Sequence, residues 1–293
     1  MQVALTGATG FLGSRVRAAL AAQGHELRLV SRRAGRGYHQ WPSYDAPFPS
    51  EAVSGADAVI HLAGENVAQR WTEAARRRIR DSRVTGTRRL ADAIQAAAPR
   101  PAVLVCASAT GYYGDRGEEV LDEASAPGQG FLAETCIEWE REAARAEESG
   151  VRVVRLRFGM VLGREGGALA KMLPVFRLCL GGRLGGGQQW MPWIHVEDAV
   201  KLILWTLEEQ RASGPLNAVA PAPVRNQDFT RVLEGVLGRP ALFAVPAWAL
   251  RLAMGDAAEI VLSSQRVMPR AALNLGFRFH YPHVADALKA LLS

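Results

Sequence analysis

The feature that most constrains this chain is a glycine series near its start. Thr6-Gly7-Ala8-Thr9-Gly10-Phe11-Leu12-Gly13 has the spacing GxxGxxG. It lies between a short β-rich run, Gln2 to Leu5, and a helix-periodic stretch, Ser14 to Gln23, closed by Gly24. Gly7 permits a tight turn, Gly10 lets the backbone approach a pyrophosphate, and Gly13 lets a helix pack closely on a strand. A helix starting there turns free N–H groups and a partial positive charge toward an anion. A glycine pattern alone also fits a simple turn; the strand before and the helix after mark this one as a dinucleotide loop. Thr9, Phe11 and Leu12 join the three glycines as expected cofactor contacts.

The strand–helix unit then recurs along the chain. Glu26 to Val30, Ala56 to Leu62, Ala102 to Ala107 and Val151 to Phe158 read as further strands, and Thr72 to Ala98 and Phe131 to Ser149 as helices between them. Strict alternation predicts a parallel sheet covered on both faces. The fold class is therefore α/β, a Rossmann-type doubly wound parallel sheet whose ligand crevice lies at the strand C-termini. Beyond residue 163 the chain becomes rich in glycine and then proline, with helices at Glu197 to Glu209, Asn226 to Leu237 and Ala247 to Met254. The expected division is a nucleotide-binding domain over 1–165, with 194–220 returning to it. Residues 166–193 and 221–293 are expected to form a smaller α/β lobe on the substrate side.

The end of the second strand sets the expected cofactor. An NAD site places an acid there for the adenosine 2′-hydroxyl, whereas a 2′-phosphate is matched by arginine. This chain reads Leu29-Val30-Ser31-Arg32-Arg33, without an acid, so Ser31 and Arg32 are expected to hold the phosphate of NADP(H). An exposed basic turn is the plainer alternative. The net charge of +6, with 32 of 35 basic residues arginine, admits a polyanion partner or a mere compositional bias. Seven arginines on the 73–98 helix, with Arg32, Arg33 and Arg36, hold the excess beside the expected crevice. That placement favours a small anion over nucleic acid.

The N-terminal residues lack the features of a signal peptide, and no run of 18 apolar residues occurs. Cys106, Cys136 and Cys179 have no CxxC spacing, and no His/Cys/Asp/Glu cluster has metal-ligand spacing. A cytoplasmic protein with reduced thiols, no metal and no membrane partner is the expectation.

Motifs along nearly the whole chain resemble the extended short-chain dehydrogenase/reductase superfamily, and within it the epimerase-family (sugar-nucleotide-epimerase-like, cell-division-inhibitor-like) branch. They are TGATGFLG at 6–13, HLAGEN at 61–66, Trp71 with Ser82-Arg83, SATGYYG at 108–114, RFGMVLG at 157–163, PWIH at 192–195 and LSSQRV at 262–267. The resemblance implies cofactor contacts at Leu62, Ala63 and Gly64 and at Val161 near the nicotinamide. Arg83 stands where the family has asparagine and is expected to reach a cofactor phosphate. A small-molecule substrate and a homodimer are implied in the same way.

The resemblance fails at the catalytic pair. The superfamily's proton relay uses Tyr and Lys four apart on one helix, the ammonium lowering the phenol pKa. The matching positions here are Phe131 and Thr135, and no YxxxK occurs in the chain. The remaining catalytic candidates come after the fourth strand. By the resemblance, Ser108 and Thr110 lie where the superfamily's hydroxyl polarises a substrate carbonyl, and Tyr112 or Tyr113 would be a substitute acid if a cation, nearest in sequence Arg116, stood beside it. The alternative is that both rings only pack. Two functions stay open: hydride transfer at a carbonyl or sugar-like carbon, and a non-catalytic NADP(H) sensor. Of the other polar residues, His61 reads as a core histidine and His195 as part of a helix start. Glu65 and Asn66 fit either a ligand or a turn, Lys171 either substrate or solvent, and Trp190 and Trp193 read as core.

Overall fold

The computed structural model describes residues 1–33, 35–241 and 243–293. Its centre is a seven-stranded sheet in which every neighbouring pair is parallel. From one edge to the other the strands are Tyr38–Gln40, Glu26–Ser31, Gln2–Thr6, Ala58–His61, Val103–Ala109, Arg152–Phe158 and Gly214–Ala218. The order reverses between Gln2–Thr6 and Ala58–His61, and a crevice at that switch point is the usual ligand position of a doubly wound sheet. The sheet carries a core on each face. Val3, Leu5, Val16, Leu20, Ile60 and Leu202 belong to one, and Ala4, Val59, Leu90, Ile94, Leu104 and Trp139 to the other. Val3, Ala4 and Leu5 alternate between them because successive strand side chains point to opposite faces.

The helices differ from the sequence expectation mainly at their ends. The first runs Phe11–Ala22, so it begins directly after Gly10. The long helix is Glu73–Ala96, where Thr72 Oγ1 accepts from the Ala75 amide as an N-cap. The Phe131 helix ends as an α-helix at Ala144 and tightens to a 3₁₀ turn over Arg145–Ser149. A third core joins helices Gly167–Arg177, Asn226–Leu237 and Val284–Leu292 through Leu169, Phe176, Phe229, Leu233 and Leu288. The segment around Ala272 and Phe277 packs instead into the main sheet core. Among the described residues, no helix is long and apolar enough to cross a membrane.

Candidate functional site

The site is built around Thr6, a residue the glycine pattern contains but sequence reasoning did not single out. Its hydroxyl oxygen accepts from the amides of Leu62 and Ala63 at 3.2 and 3.1 Å and stands 2.8 Å from His61 Nδ1. With both lone pairs used, the Thr6 proton goes to Nδ1, which places the His61 proton on Nε2. That nitrogen is buried without a partner among the described residues. Burial lowers the His61 pKa to about 4, so the ring is neutral. His61 is thus a core residue that helps Thr6 fasten the turn after it.

The fastened turn lies against the glycine loop. Gly7 has φ +73°, and a Cβ there would stand 2.8 Å from the Leu62 carbonyl. A Cβ on Gly13 would stand 2.1 Å from Gly7 O. Gly10 differs: its backbone (φ −78°, ψ 172°) suits any residue, and a Cβ would meet only Gly7 O, at 3.3 Å. Gly7 and Gly13 are therefore required by packing within the protein, whereas Gly10 leaves space. Gly10 is also the helix N-cap and offers no side-chain cap, so the first-turn amides are left to water or an anion. Thr9 and Gly10 are exposed. The Phe11 ring is committed to packing against Gly163 and Gly166, which leaves its amide for a ligand. Leu12, Leu62 and Val161 are each partly buried against the same core cluster, while Ala63 is half-buried and Gly64 exposed.

At the end of the second strand, Ser31 is half-buried and accepts from the Arg33 amide, and Arg32 and Arg33 are exposed. Neither arginine side chain makes an ion pair or hydrogen bond among the described residues. The long helix behaves otherwise. Arg76 pairs with Asp256, Arg77 with Glu73, Arg78 with Glu65, Arg80 with Glu138 and Arg88 with Glu142. Most of its positive charge is neutralised locally, so it forms no free basic face. Two of its arginines have no acid partner among the described residues: Arg89 Nε donates to the Asp45 carbonyl, and Arg83 Nη1 donates to the Glu65 and Ile79 carbonyls and to Ser82 Oγ. The Arg83 guanidinium lies 3.5 Å from the position of a Cβ on Gly64 and 5.2 Å from the Trp139 ring. Nη2 and Nε have no hydrogen-bond partner among the described residues.

The hydroxyls after the fourth strand do not share one role. Ser108 donates its proton to Glu140 Oε1 at 2.7 Å, leaving only lone pairs for a ligand. Glu140 is held by Nε and Nη2 of Arg157, each at 2.8 Å, and both side chains are buried. Arg157 Nη1 also donates to Tyr113 OH, which donates to Asn217 Oδ1 at 2.7 Å. Tyr113 has no exposed surface, and burial raises its pKa to about 12. Tyr113 is thus a structural phenol rather than an acid facing the crevice, and Ser108 is an anchor rather than a donor to a carbonyl. The cation beside the tyrosines is Arg157, 3.5 Å from the centre of the Tyr112 ring. Arg116 is instead spent on Glu119 and Ala126. Tyr112, half-buried, and Thr110, 5% exposed, keep hydroxyls with no partner among the described residues.

At the positions of the missing pair, Thr135 Oγ1 donates back to the Phe131 carbonyl at 2.7 Å. Phe131 packs edge-on against Trp71 and under Arg76, and lines a cleft of about 580 Å³ shared with Gln129, Asp115, Arg251 and Glu259. The 110–113 turn adjoins this helix, because a Cβ on Gly111 would stand 3.3 Å from Leu132 Cβ. His195 Nδ1 caps helix Val196–Glu208 by accepting from the Glu197 amide. Asn66 Oδ1 accepts from Ala68 N in a local turn, and Glu65 faces Gln69 and Arg78. Lys171 is exposed, Trp193 is buried, and Trp190 lies between Arg225 and Arg266. Among the described residues, no group of three His, Cys, Asp or Glu could hold a metal ion.

Comparison with known proteins matches this architecture. Residues 3–219 fit the model of the NAD dependent epimerase/dehydratase family, and residues 245–291 fit a domain of unknown function, DUF1731. The chain is 42% identical to the chloroplastic epimerase family protein SDR39U1 homolog of Arabidopsis thaliana, covering all of this chain and 87% of that protein. It is 38% identical to the epimerase family protein YfhF of Bacillus subtilis, covering all of this chain and 98% of that one. The crystal structure of human epimerase family protein SDR39U1 with NADPH is similar at 36% identity and TM-score 0.93, covering 100% and 99% of the two chains. The family match over three-quarters of the chain and the relatives over its full length lead to one assignment: this chain belongs to the NAD dependent epimerase/dehydratase family.

Proposed function

We propose that the chain binds NADPH in the crevice at the switch point and uses it for hydride transfer at the carbonyl carbon of a small polar substrate. The observation that carries the reading is the loop geometry. Gly7 and Gly13 are locked by protein contacts, while Gly10 opens space before the uncapped amides of helix Phe11–Ala22. That combination suits a pyrophosphate. The amides of Phe11 and Leu12 would hold it, with Thr9 and Gly13 completing the loop. Ser31 and Arg32, whose side chain has no partner among the described residues, would receive the 2′-phosphate. Leu62, Ala63 and Gly64 would lie along the dinucleotide, Val161 near the nicotinamide, and the free arm of Arg83 toward a phosphate. A similar structure was solved with NADPH, which supports this choice.

Bound NADPH supplies a hydride. Within the chain, the Thr110 hydroxyl is free to donate to a substrate oxygen, because Ser108 has given its proton to Glu140. Tyr112 is held by the Arg157 guanidinium and would pack against nicotinamide or substrate. The cleft beside Phe131 would receive the substrate. Titration of NADPH and NADH against the protein tests the reading. Tighter binding of NADPH, abolished as a preference by Arg32→Ala, is expected, and equal affinities would refute it. The absent Tyr–Lys pair favours a second reading, a cofactor sensor. Tight NADPH binding without turnover of any carbonyl compound would select it.

A further inference from the structure

The substrate-side cleft contains a carboxyl group to which hydride transfer has so far assigned no role. Glu259 begins the short helix Glu259–Leu262 in the C-terminal segment and lines the cleft with Phe131, Arg76 and Asp115. Its carboxylate oxygens lie 3.7 and 3.9 Å from the position of a Cβ on Gly130, one residue before Phe131. The carboxyl therefore stands over the start of the helix whose first residue replaces the expected phenol.

The cleft's other carboxylates are engaged. Asp256 pairs with Arg76 at 2.5 Å, and Asp115 accepts from the amides of Ser264 and Gly117. Glu259 makes no ion pair or side-chain hydrogen bond among the described residues and is half-buried. The charged groups around it are Arg76 from the long helix, Asp115 from the loop after the tyrosines, and Asp256 and Arg251 from its own lobe. Burial raises its pKa above the ordinary carboxylate value, Asp115 and Asp256 push the same way, and Arg76 opposes them. A carboxyl with a raised pKa beside an arginine can exchange a proton with a ligand, as general acid–base chemistry requires.

We propose that Glu259 is the proton donor and acceptor of this cleft, serving reduction of a small polar carbonyl compound where the missing phenol would have served. The proposal rests on the hydride-transfer reading. In reduction, the carbonyl carbon accepts the hydride of the reduced nicotinamide and its oxygen takes the Glu259 proton. The C=O π bond breaks, one C–H and one O–H bond form, the carbonyl is reduced to an alcohol, and NADPH is oxidised to NADP⁺. Water then returns a proton to the Glu259 carboxylate. The C-terminal segment would thus complete a reaction centre that the sheet alone leaves without an acid.

The test compares wild type, Glu259→Gln and Glu259→Asp with NADPH and two probe carbonyls, 9,10-phenanthrenequinone and 4-nitrobenzaldehyde. NADPH affinity is read by fluorescence, turnover by NADPH oxidation across pH, and the protonated carboxyl by its infrared band. In Glu259→Gln, NADPH affinity is expected to stay within about twofold while kcat falls roughly 100-fold or more. The infrared band that persists above the ordinary carboxylate range is expected to vanish. Wild-type turnover is expected to decline as pH rises through the Glu259 pKa, and Glu259→Asp to recover part of the rate. Unchanged kcat and pH profile in Glu259→Gln would overturn the proposal alone. Tight NADPH binding by wild type with neither probe reduced would overturn it in favour of the sensor. Failure of wild type to bind NADPH would overturn the cofactor reading itself.

Discussion

Replacing Gly10 and Gly13 separately by alanine distinguishes a glycine needed by the protein from one needed by a ligand. At Gly13 the new methyl would stand 2.1 Å from Gly7 O and 2.8 Å from Gly7 C, so backbone must move. Overpacking of this kind costs about 1–3 kcal/mol, and a contact so short against backbone belongs at the upper end. For a chain of this size, roughly 2–4 °C is lost per kcal/mol, which predicts a Tm about 6–12 °C lower. At Gly10 the backbone already suits alanine and the contact is 3.3 Å. The cost is mainly that alanine caps a helix less well than glycine, about 1 kcal/mol. The Gly10 methyl would, however, occupy the space before the first-turn amides. Displacing a phosphate from one charge-assisted hydrogen bond costs about 1.5–3 kcal/mol, or roughly 10- to 150-fold in Kd. Thermal unfolding monitored by fluorescence, and NADPH titration of each variant, read both effects. Gly10→Ala with a near-normal Tm and much weaker NADPH binding is the expected outcome. Wild-type affinity in Gly10→Ala would refute the assignment of that space to the pyrophosphate.

The buried polar groups give three more expected outcomes. Glu140→Ala leaves Arg157 buried without its partner and should cost about 3–5 kcal/mol in urea unfolding; a loss under about 1 kcal/mol would mean the pair is not buried as described. Tyr113→Phe should lower stability by about 1–3 kcal/mol through the unpaired Arg157 and Asn217 groups while NADPH affinity stays unchanged, and altered affinity would place this phenol at the ligand after all. His61 has a pKa of about 4 when folded and 6.5 as a free side chain, so the unfolded chain binds the extra proton between these values. The stability from its neutral ring is complete above pH 6.5 and is lost as pH falls through 4, up to about 3 kcal/mol. His61→Gln should flatten urea-derived stability between pH 7 and 4.5, and a slope equal to wild type would contradict this.

The architecture was legible wherever burial imposes a period. The strands at 2–6, 26–31, 58–61, 103–109 and 152–158 are apolar runs between helical patterns, and both sheet faces are covered. Two strands of the central sheet escaped that logic. Tyr38–Gln40 is a three-residue edge strand without an apolar period, and Gly214–Ala218 contains glycine and proline, yet pairs with Arg152–Phe158 along its length. The helix start at Phe11 escaped because a first turn that faces a ligand need not be amphipathic. The buried polar chain was illegible for a different reason. In sequence Arg157 and Glu140 look like two solvated residues of a strand and a helix, and only the packing of that helix on the sheet joins them through Ser108 and Tyr113. Arg157 therefore replaced Arg116 as the cation near the tyrosines. Glu259 lies over a hundred residues from Phe131 and meets it only through the fold of the C-terminal segment.

The central claim is that the glycine loop and the end of the second strand together hold NADPH, and a crystal structure of the protein grown with NADPH tests it most directly. The pyrophosphate should lie against the amides of Phe11 and Leu12, and the 2′-phosphate within about 3 Å of Ser31 Oγ or the Arg32 guanidinium. A dinucleotide bound elsewhere, or bound here with its 2′-phosphate touching neither residue, would contradict the account.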